Sequence, residues 1–364
     1  FFFNHNPPYA MLRSLVGSEM CIRDSHFVKT KKIKVVEASH PIPDLNGYNA
    51  TKKIIQIAKN TYKDDLVIFL ISGGASALLC SPLDGINFDE KQKINNELLK
   101  SGASIDEMNI VRQSISAVKG GRLLELIKPS NCITYGISDI PGDDPSFIGS
   151  GPTIYSNNDP NKLFEILDNY QIEISKEILS IIKTNLLPKG INENFHLIAS
   201  PMKALKAASN LAKKIGFLPI ILSDKLEGDA SKEGERMANL ALKIKKEKRY
   251  KNISLEKPIL LLSGGETTVK VNGLGKGGRN SEFALSMVNT LKGNKNILGL
   301  SIDTDGIDGC EDNAGAFFSY ETFLKSKKLN LDIKKYIDST DEITVFKSIF
   351  NTDTNLMMPG IKLP

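Results

Sequence analysis

At 364 residues the chain is long enough to bury a large core, and its length suggests two domains rather than one. With 41% hydrophobic and 24% charged residues it has an ordinary globular composition, and its formal charge of +5 is spread over Lys-rich segments with no basic stripe interleaved with aromatics. That argues against nucleic acid and membrane partners and leaves anionic small molecules. Cys21, Cys80, Cys132 and Cys310 fall at neither metal-ligand nor redox spacing, and His5, His26, His40 and His196 are too few for a His-rich metal centre. A reduced, cytoplasmic setting with buried thiols is expected.

Residues 1–25 show neither helical nor strand periodicity and no apolar core of a signal peptide. The run RSLVGSEMCIRDS is similar to a translated sequencing adapter, so a non-native leader is expected there. From Lys34 to Ala38 the pattern predicts a strand, followed by the proline turn Ser39 to Asp44 and a helix over 49–59. Asp65 to Ile71 reads as a strand buried on both faces of a parallel sheet, emptying into Ser72-Gly73-Gly74-Ala75-Ser76. Helices are predicted over 88–101 and 105–119, then a strand over 132–137 that delivers Ser138-Asp139 and a loop dense in Gly, Pro, Ser and Asp. Two polar-faced helices fill 157–194, and His196 is expected to be an ordinary strand residue. A strand–helix–strand–helix pattern then runs over 196–248.

The stretch from Pro258 to Glu282 carries the strongest chemical signal. Its apolar run Ile259 to Leu262 predicts a buried strand ending in a tight loop, Ser263-Gly264-Gly265-Glu266. A second glycine-rich turn contains Lys276 and leads through Gly277-Gly278 into Arg279-Asn280 and a helix. Glycines allow backbone N–H groups to approach an anion, and the helix start adds partial positive charge, so these are the parts of a phosphate site. A solvated hairpin is the competing reading. Further on, a strand over 297–302 exits at Asp303-Thr304-Asp305-Gly306-Ile307-Asp308, where Asp303 and Asp305 are expected to hold a hard cation, unless this is merely an acidic turn. Loops at the ends of parallel strands gather ligands in open α/β sheets, so 72–76, 138–145, 263–266 and 303–309 are expected to build one composite site.

Taken together, SHPIPD (39–44), LISGGASALL (70–79), KGGRL (119–123), SDIPGDDPSFIGSGPT (138–153), LSGGETTV (262–269), GGRNSEFAL (277–285) and DTDGIDG (303–309) resemble the type-II glycerate kinases, the glycerate 2-kinases with a MOFRL domain. The resemblance spans about Ile33 to Phe317. It implies an α/β fold: a Rossmann-like parallel-sheet domain (26–192 and 343–364) with a smaller mixed-sheet α/β domain (193–342) inserted, and a cleft between them. It also implies phosphorylation of D-glycerate at its 2-hydroxyl, with ATP and Mg2+ as cofactors. Carried over by motif, Arg279 and Asp139 are the catalytic pair. Ser72, Gly73, Gly74, Ser76, Ser263, Gly264, Gly265, Glu266, Lys276 and Asn280 bind substrate or phosphate, and Asp303 and Asp305 bind metal. The oligomeric state is left open, a homodimer being one option. The family's GKA-type lysine has no counterpart here, and its Gly-Pro-Thr-Gly-Thr-Asn run is altered over Asn351 to Met358. Alternative activities are a hydroxypyruvate reductase, which the lack of a G-x-G-x-x-G fingerprint disfavours, and an inactive nucleotide-binding fragment.

Overall fold

The computed structural model describes residues 35–350 apart from 40, 41, 139, 141, 157, 158, 255, 271–275, 305, 307 and 310–312. Chain contacts divide it into two units between Ser200 and Pro201. In the first unit the elements run α1 (Leu45–Lys59), β1 (Leu66–Ile71), α2 (Ala75–Leu78), α3 (Phe88–Ser101), α4 (Ile105–Ser114), α5 (Arg122–Leu126), β2 (Asn131–Ile137), α6 (Pro160–Asn169), α7 (Lys176–Thr184) and β3 (Phe195–Ala199). Local chemistry starts the helices. Asp44 of the proline turn caps α1 by accepting from Gly47 N at 2.8 Å, while α3 and α4 open on the reciprocal capping boxes Asn87/Glu90 and Ser104/Glu107.

The strands form a parallel sheet in the order β1-β2-β3, with Leu66 opposite Asn131 and Ile71 opposite Gly136. This register brings the chain out of β1 and β2 at the same edge, which places Ser72 and Ser138 side by side in the sheet order. Burial on β1 alternates. Val67, Phe69 and Ile71 pack with Ile54, Ala58, Val118, Leu123 and Ile127, whereas Leu66 and Leu70 are exposed. The expectation of a strand covered on both faces is therefore corrected, because among the described residues helices cover only one side. Residues 35–38, expected as a strand, pair with no described strand. The helices α6 and α7 turn Leu163, Ile166, Ile178 and Ile182 onto Leu98, Val111 and Ile115 in a second core cluster.

The second unit continues with α8 (Pro201–Lys214), β4 (Leu218–Asp229), α9 (Ala230–Glu247), β5 (Arg249–Tyr250), β6 (Ile253–Ser254), β7 (Ile259–Thr268), α10 (Arg279–Leu291), β8 (Gly299–Ile302), β9 (Gly315–Phe318), α11 (Tyr320–Lys328), α12 (Ile333–Asp338) and α13 (Glu342–Phe350). Strands β4 and β7 pair in parallel, β8 and β9 antiparallel, so this unit mixes both ladders. Its core joins Leu285 and Val288 of α10 to Phe318, Val345, Phe346 and Ile349. Residues 343–350 thus pack in the second unit rather than returning to the first, because α13 supplies apolar side chains that α10 needs to bury; the rest of that expected return, 351–364, lies outside the described residues. Among the described residues no helix is long and apolar enough to cross a membrane.

The tight loop expected at Ser263 to Glu266 is instead strand. β7 continues to Thr268, with Gly265 opposite Leu226 and Glu266 opposite Glu227 across a ladder interrupted by bulges. Gly265 sits at φ +141°, and a Cβ there would lie 2.2 Å from Leu226 N. The glycine serves close strand approach and the bulge, not an anion. Gly265→Ala is accordingly expected to lower unfolding free energy by about 2–4 kcal/mol in urea titration.

Candidate active site

Arg279 is the first residue of α10, held there by the chain leaving Gly278 in an extended conformation. Its Nε and one terminal nitrogen donate to Asp303 Oδ2 at 3.0 and 2.6 Å, and the other terminal nitrogen donates to Glu266 Oε1. Asp303 directly follows β8 and Glu266 lies on β7, so the helix start and two strand ends converge on one guanidinium. Burial works against the Arg279 charge, but Asp303 and Glu266 outweigh it and hold the group above its usual range. Burial raises the Asp303 carboxyl, with Arg279 pulling the other way and Asp308 and Glu266 adding to the rise. The side chain of Glu266 is 67% exposed against 13% for Asp303. Glu266 is the solvent-facing partner of the guanidinium and Asp303 the buried one.

The start of α10 is already occupied by an anion of the chain itself. Asp308 is fully buried and accepts from Asn280 N and Ser281 N, each at 2.8 Å, and from the side chains of both residues. Gly278 permits this, since a Cβ there would meet the Asp308 carboxyl at 2.5 Å. Gly278 therefore serves an internal carboxylate cap, and the phosphate cradle expected at this helix start is corrected, while a Cβ at Gly277 would instead run into the Glu342 carboxyl. Asn280 bridges the same turn, its Oδ1 accepting from Ser301 Oγ at 2.7 Å. Lys276 donates its N–H to Asp341 Oδ1 at 3.1 Å and accepts from Ile343 N, tying the loop to α13.

Glu342 lies beneath that loop, buried, with neither carboxylate oxygen partnered among the described residues. Burial pushes it up to about 8, and Glu282, Asp308 and Asp341 add to the rise. Glu282, also buried, is pushed to about 7 by burial and by Asp229. A carboxyl whose folded pKa exceeds its unfolded one keeps its proton in the fold while the unfolded chain has released it. Stability then falls as pH climbs from the ordinary 4.5 through about 8. Glu342→Gln is expected to be near neutral at about pH 5 and to stabilise by about 2 kcal/mol at about pH 8.5, read by thermal melts across pH. Glu282 leaves a residual slope below about 7.

In the first unit, Ser72 and Gly73 are buried and Gly74 turns the chain into α2 at φ 75°. Ser76 Oγ meets Ser150 Oγ at 3.0 Å, and Ser150 Oγ donates to Asn109 Oδ1 at 2.8 Å. Lys119 of the KGGR run is almost wholly buried and spans both loops, its Nζ donating to Ser76 O at 2.9 Å and Gly149 O at 3.0 Å. Arg122 of the same run donates to Gln113 O, Ser116 O and Asn185 O. The loops 72–76 and 146–151 thus form one braced edge of the sheet.

Two stretches of the sequence match known families: residues 9–183 match a domain of unknown function, DUF4147, and residues 259–360 match the MOFRL family. A D-glycerate 2-kinase of Thermotoga maritima is 36% identical over 314 residues, covering 86% of this chain and 74% of that protein. A crystal structure of a glycerate kinase from the same organism superposes with TM-score 0.79 at 35% identity, covering 88% of this chain and 77% of that one. The chain belongs to the glycerate 2-kinase family. An Agrobacterium vitis protein provisionally named a hydroxypyruvate reductase is 40% identical over 335 residues, covering 90% of this chain and 75% of that protein.

For this glycerate 2-kinase family member, the described structure joins three sequence-predicted site residues, Arg279, Glu266 and Asp303, in one ion-pair cluster with Asn280 beside it. Ser72, Gly73, Gly74 and Ser76 lie in the first unit; Ser263, Gly264 and Gly265 lie within β7, the Ser263 hydroxyl buried without a partner among the described residues. Asp139 and Asp305 lie outside the described residues. Among the described residues no group of three His, Cys, Asp or Glu side chains could hold a metal ion. Sequence reasoning missed the capping role of Asp308 and the bracing role of Lys119. The first carried a usable signal, since an Asp-Gly turn facing a glycine-preceded helix start is a ready internal cap.

Proposed function

We propose that the chain is a glycerate 2-kinase that moves the γ-phosphoryl group of ATP to the 2-hydroxyl of D-glycerate. The observation that carries this reading is Arg279, a guanidinium at a helix start with one buried and one exposed carboxylate on it. Phosphoryl transfer asks the protein mainly to position groups and neutralise charge on the transferring phosphoryl. Arg279 does this with a planar fork that fits phosphoryl oxygens. Asp303 keeps the fork oriented, while departure of Glu266 frees one side of it for the incoming anion.

Mg2+ fits the donor chemistry of Asp303, a carboxylate that engages Arg279 through Oδ2 and is of the hard oxygen type this ion takes together with substrate phosphates. When bound it would offset phosphate charge, with Asp305 as a further ligand. Asp139 remains the proposed group that orients or deprotonates the 2-hydroxyl. Cys80 and Cys132 are free and buried, which fits the reducing cytoplasm proposed as its setting.

The 40% identity to a protein provisionally named a reductase supports one competing reading. The two separate in one experiment. The chain is incubated with ATP, Mg2+ and D-glycerate, and in parallel with NADH and hydroxypyruvate. ADP and 2-phosphoglycerate in the first vessel with no NADH loss in the second is the expected result, and the reverse pattern overturns it.

A further inference from the structure

Arg279 is delivered to its carboxylates by a short strap, Lys276 to Gly278, that is walled in on two sides. One wall is the start of α13. Lys276 donates its N–H to Asp341 Oδ1 at 3.1 Å and accepts from Ile343 N at 3.2 Å, and the residue between those two, Glu342, sets its carboxyl against Gly277. A Cβ at Gly277 would lie 3.1 Å from Glu342 Cδ and run into its Oε2. The other wall is the turn after β8, where a Cβ at Gly309 would run into Gly277 O. Gly278 then leaves the strap extended, its N–H donating to Ser281 Oγ at 3.0 Å, and Arg279 opens α10 with its guanidinium on Asp303.

The state of the Glu342 carboxyl decides whether its wall holds. The side chain is fully buried and neither oxygen has a partner among the described residues. The charged groups acting on it are all acidic: Glu282 from α10, Asp308 from the turn after β8 and Asp341 beside it. Lys276 of the strap meets α13 through its backbone, and α11 and α12 bring Phe323, Ile333, Tyr336 and Ile337 to the core under α13. Burial pushes the group up to about 8; its own N–H pulls the other way, and the three carboxylates add to the rise. A neutral acid fits this place at little cost, whereas a carboxylate here lacks both a donor and water. To regain water it has to leave its position under Gly277 or lift the strap. Either way the strap loses its seat.

We propose that Glu342 is a positioning residue for Arg279: the neutral acid seats the 276–278 strap, and the ionised one unseats it and takes the guanidinium off Asp303. The seating rests on the geometry of the second unit; its consequence for turnover rests on the kinase reading.

Amide hydrogen exchange decides the seating, with or without turnover. Protection of Lys276, Gly278 and Ile343 is followed in the full chain, in Glu342→Gln and in Glu342→Ala, corrected for the intrinsic exchange rate at each pH. A carboxyl at about 8 under the seated strap that returns to the ordinary 4.5 when the strap opens predicts that wild-type protection falls by about tenfold from about pH 6 to about pH 7 and levels off above about pH 8. Glu342→Gln, which cannot ionise, is expected to hold its protection within about twofold over that range, and Glu342→Ala, which removes the wall, to be poorly protected at every pH. The Val288 and Phe318 amides, in the core of the same unit, are expected to stay better protected than the strap throughout. In a chain that turns over, the alkaline fall in kcat/KM is expected to shrink by about threefold or more in Glu342→Gln. The proposal is overturned if wild-type strap protection is flat with pH, if Glu342→Gln loses protection in parallel with the wild type, or if the strap exchanges only in step with Val288 and Phe318, which would make Glu342 a contributor to global stability alone. Absence of turnover with the exchange pattern intact sinks the kinase reading and leaves the seating in place.

Discussion

Arg279→Ala is expected to lower kcat/KM for glycerate phosphorylation by about a thousandfold or more, the scale of an arginine that stabilises a transferring phosphoryl group. The loss should fall mainly on kcat, because the guanidinium is most useful where charge develops. Arg279→Lys keeps the charge but loses the fork that spans Asp303 and Glu266, and should recover only a small part of the rate. The alanine variant also leaves Asp303 mostly buried beside other carboxylates. Its stability is therefore expected to drop by about 2 kcal/mol near neutral pH and to recover as Asp303 takes up a proton in acid. Steady-state kinetics together with melts at two pH values check both halves. Turnover unchanged in Arg279→Ala removes this residue from the mechanism.

Asp308→Ala should have the largest effect on stability, about 3–4 kcal/mol by urea unfolding, since it strips a fully buried carboxylate that satisfies two backbone N–H groups and two side chains at the start of α10. Asp308→Asn keeps one acceptor oxygen and should lose roughly half as much. Activity falls as well, through displacement of Arg279 one residue away. The outcome separates two readings of the acidic turn. A cap predicts lost stability with an unchanged metal requirement, whereas a metal ligand predicts a raised Mg2+ requirement in a chain that unfolds normally.

Much of the fold was legible because its signals are local. Helical patterns placed the starts of α3 and α4 at Phe88 and Ile105, where the structure has them. Apolar runs located β1, β2 and β7. What failed was the end of β7: a Ser-Gly-Gly run after four apolar residues looks like punctuation, yet β4 lies alongside and offers a ladder that carries the strand on to Thr268. Gly278 misled in the same way, since its signature is identical whether the approaching anion is a ligand or Asp308. The buried Lys91 gave no sequence signal, because a lysine on an amphipathic helix looks like a solvated charge until burial is known.

The sequence by itself determined most of the helix and strand segments and, through seven ordered motifs, the family. Those properties depend on side-chain chemistry and on spacing along one element. Only the tertiary structure decided where charges are spent inside the protein: Asp308 on its helix, Lys119 on two carbonyls, Arg279 between Asp303 and Glu266. The reason is that the worth of a charge is set by what packs around it and by how much water is excluded, and both are fixed by residues far apart in the chain.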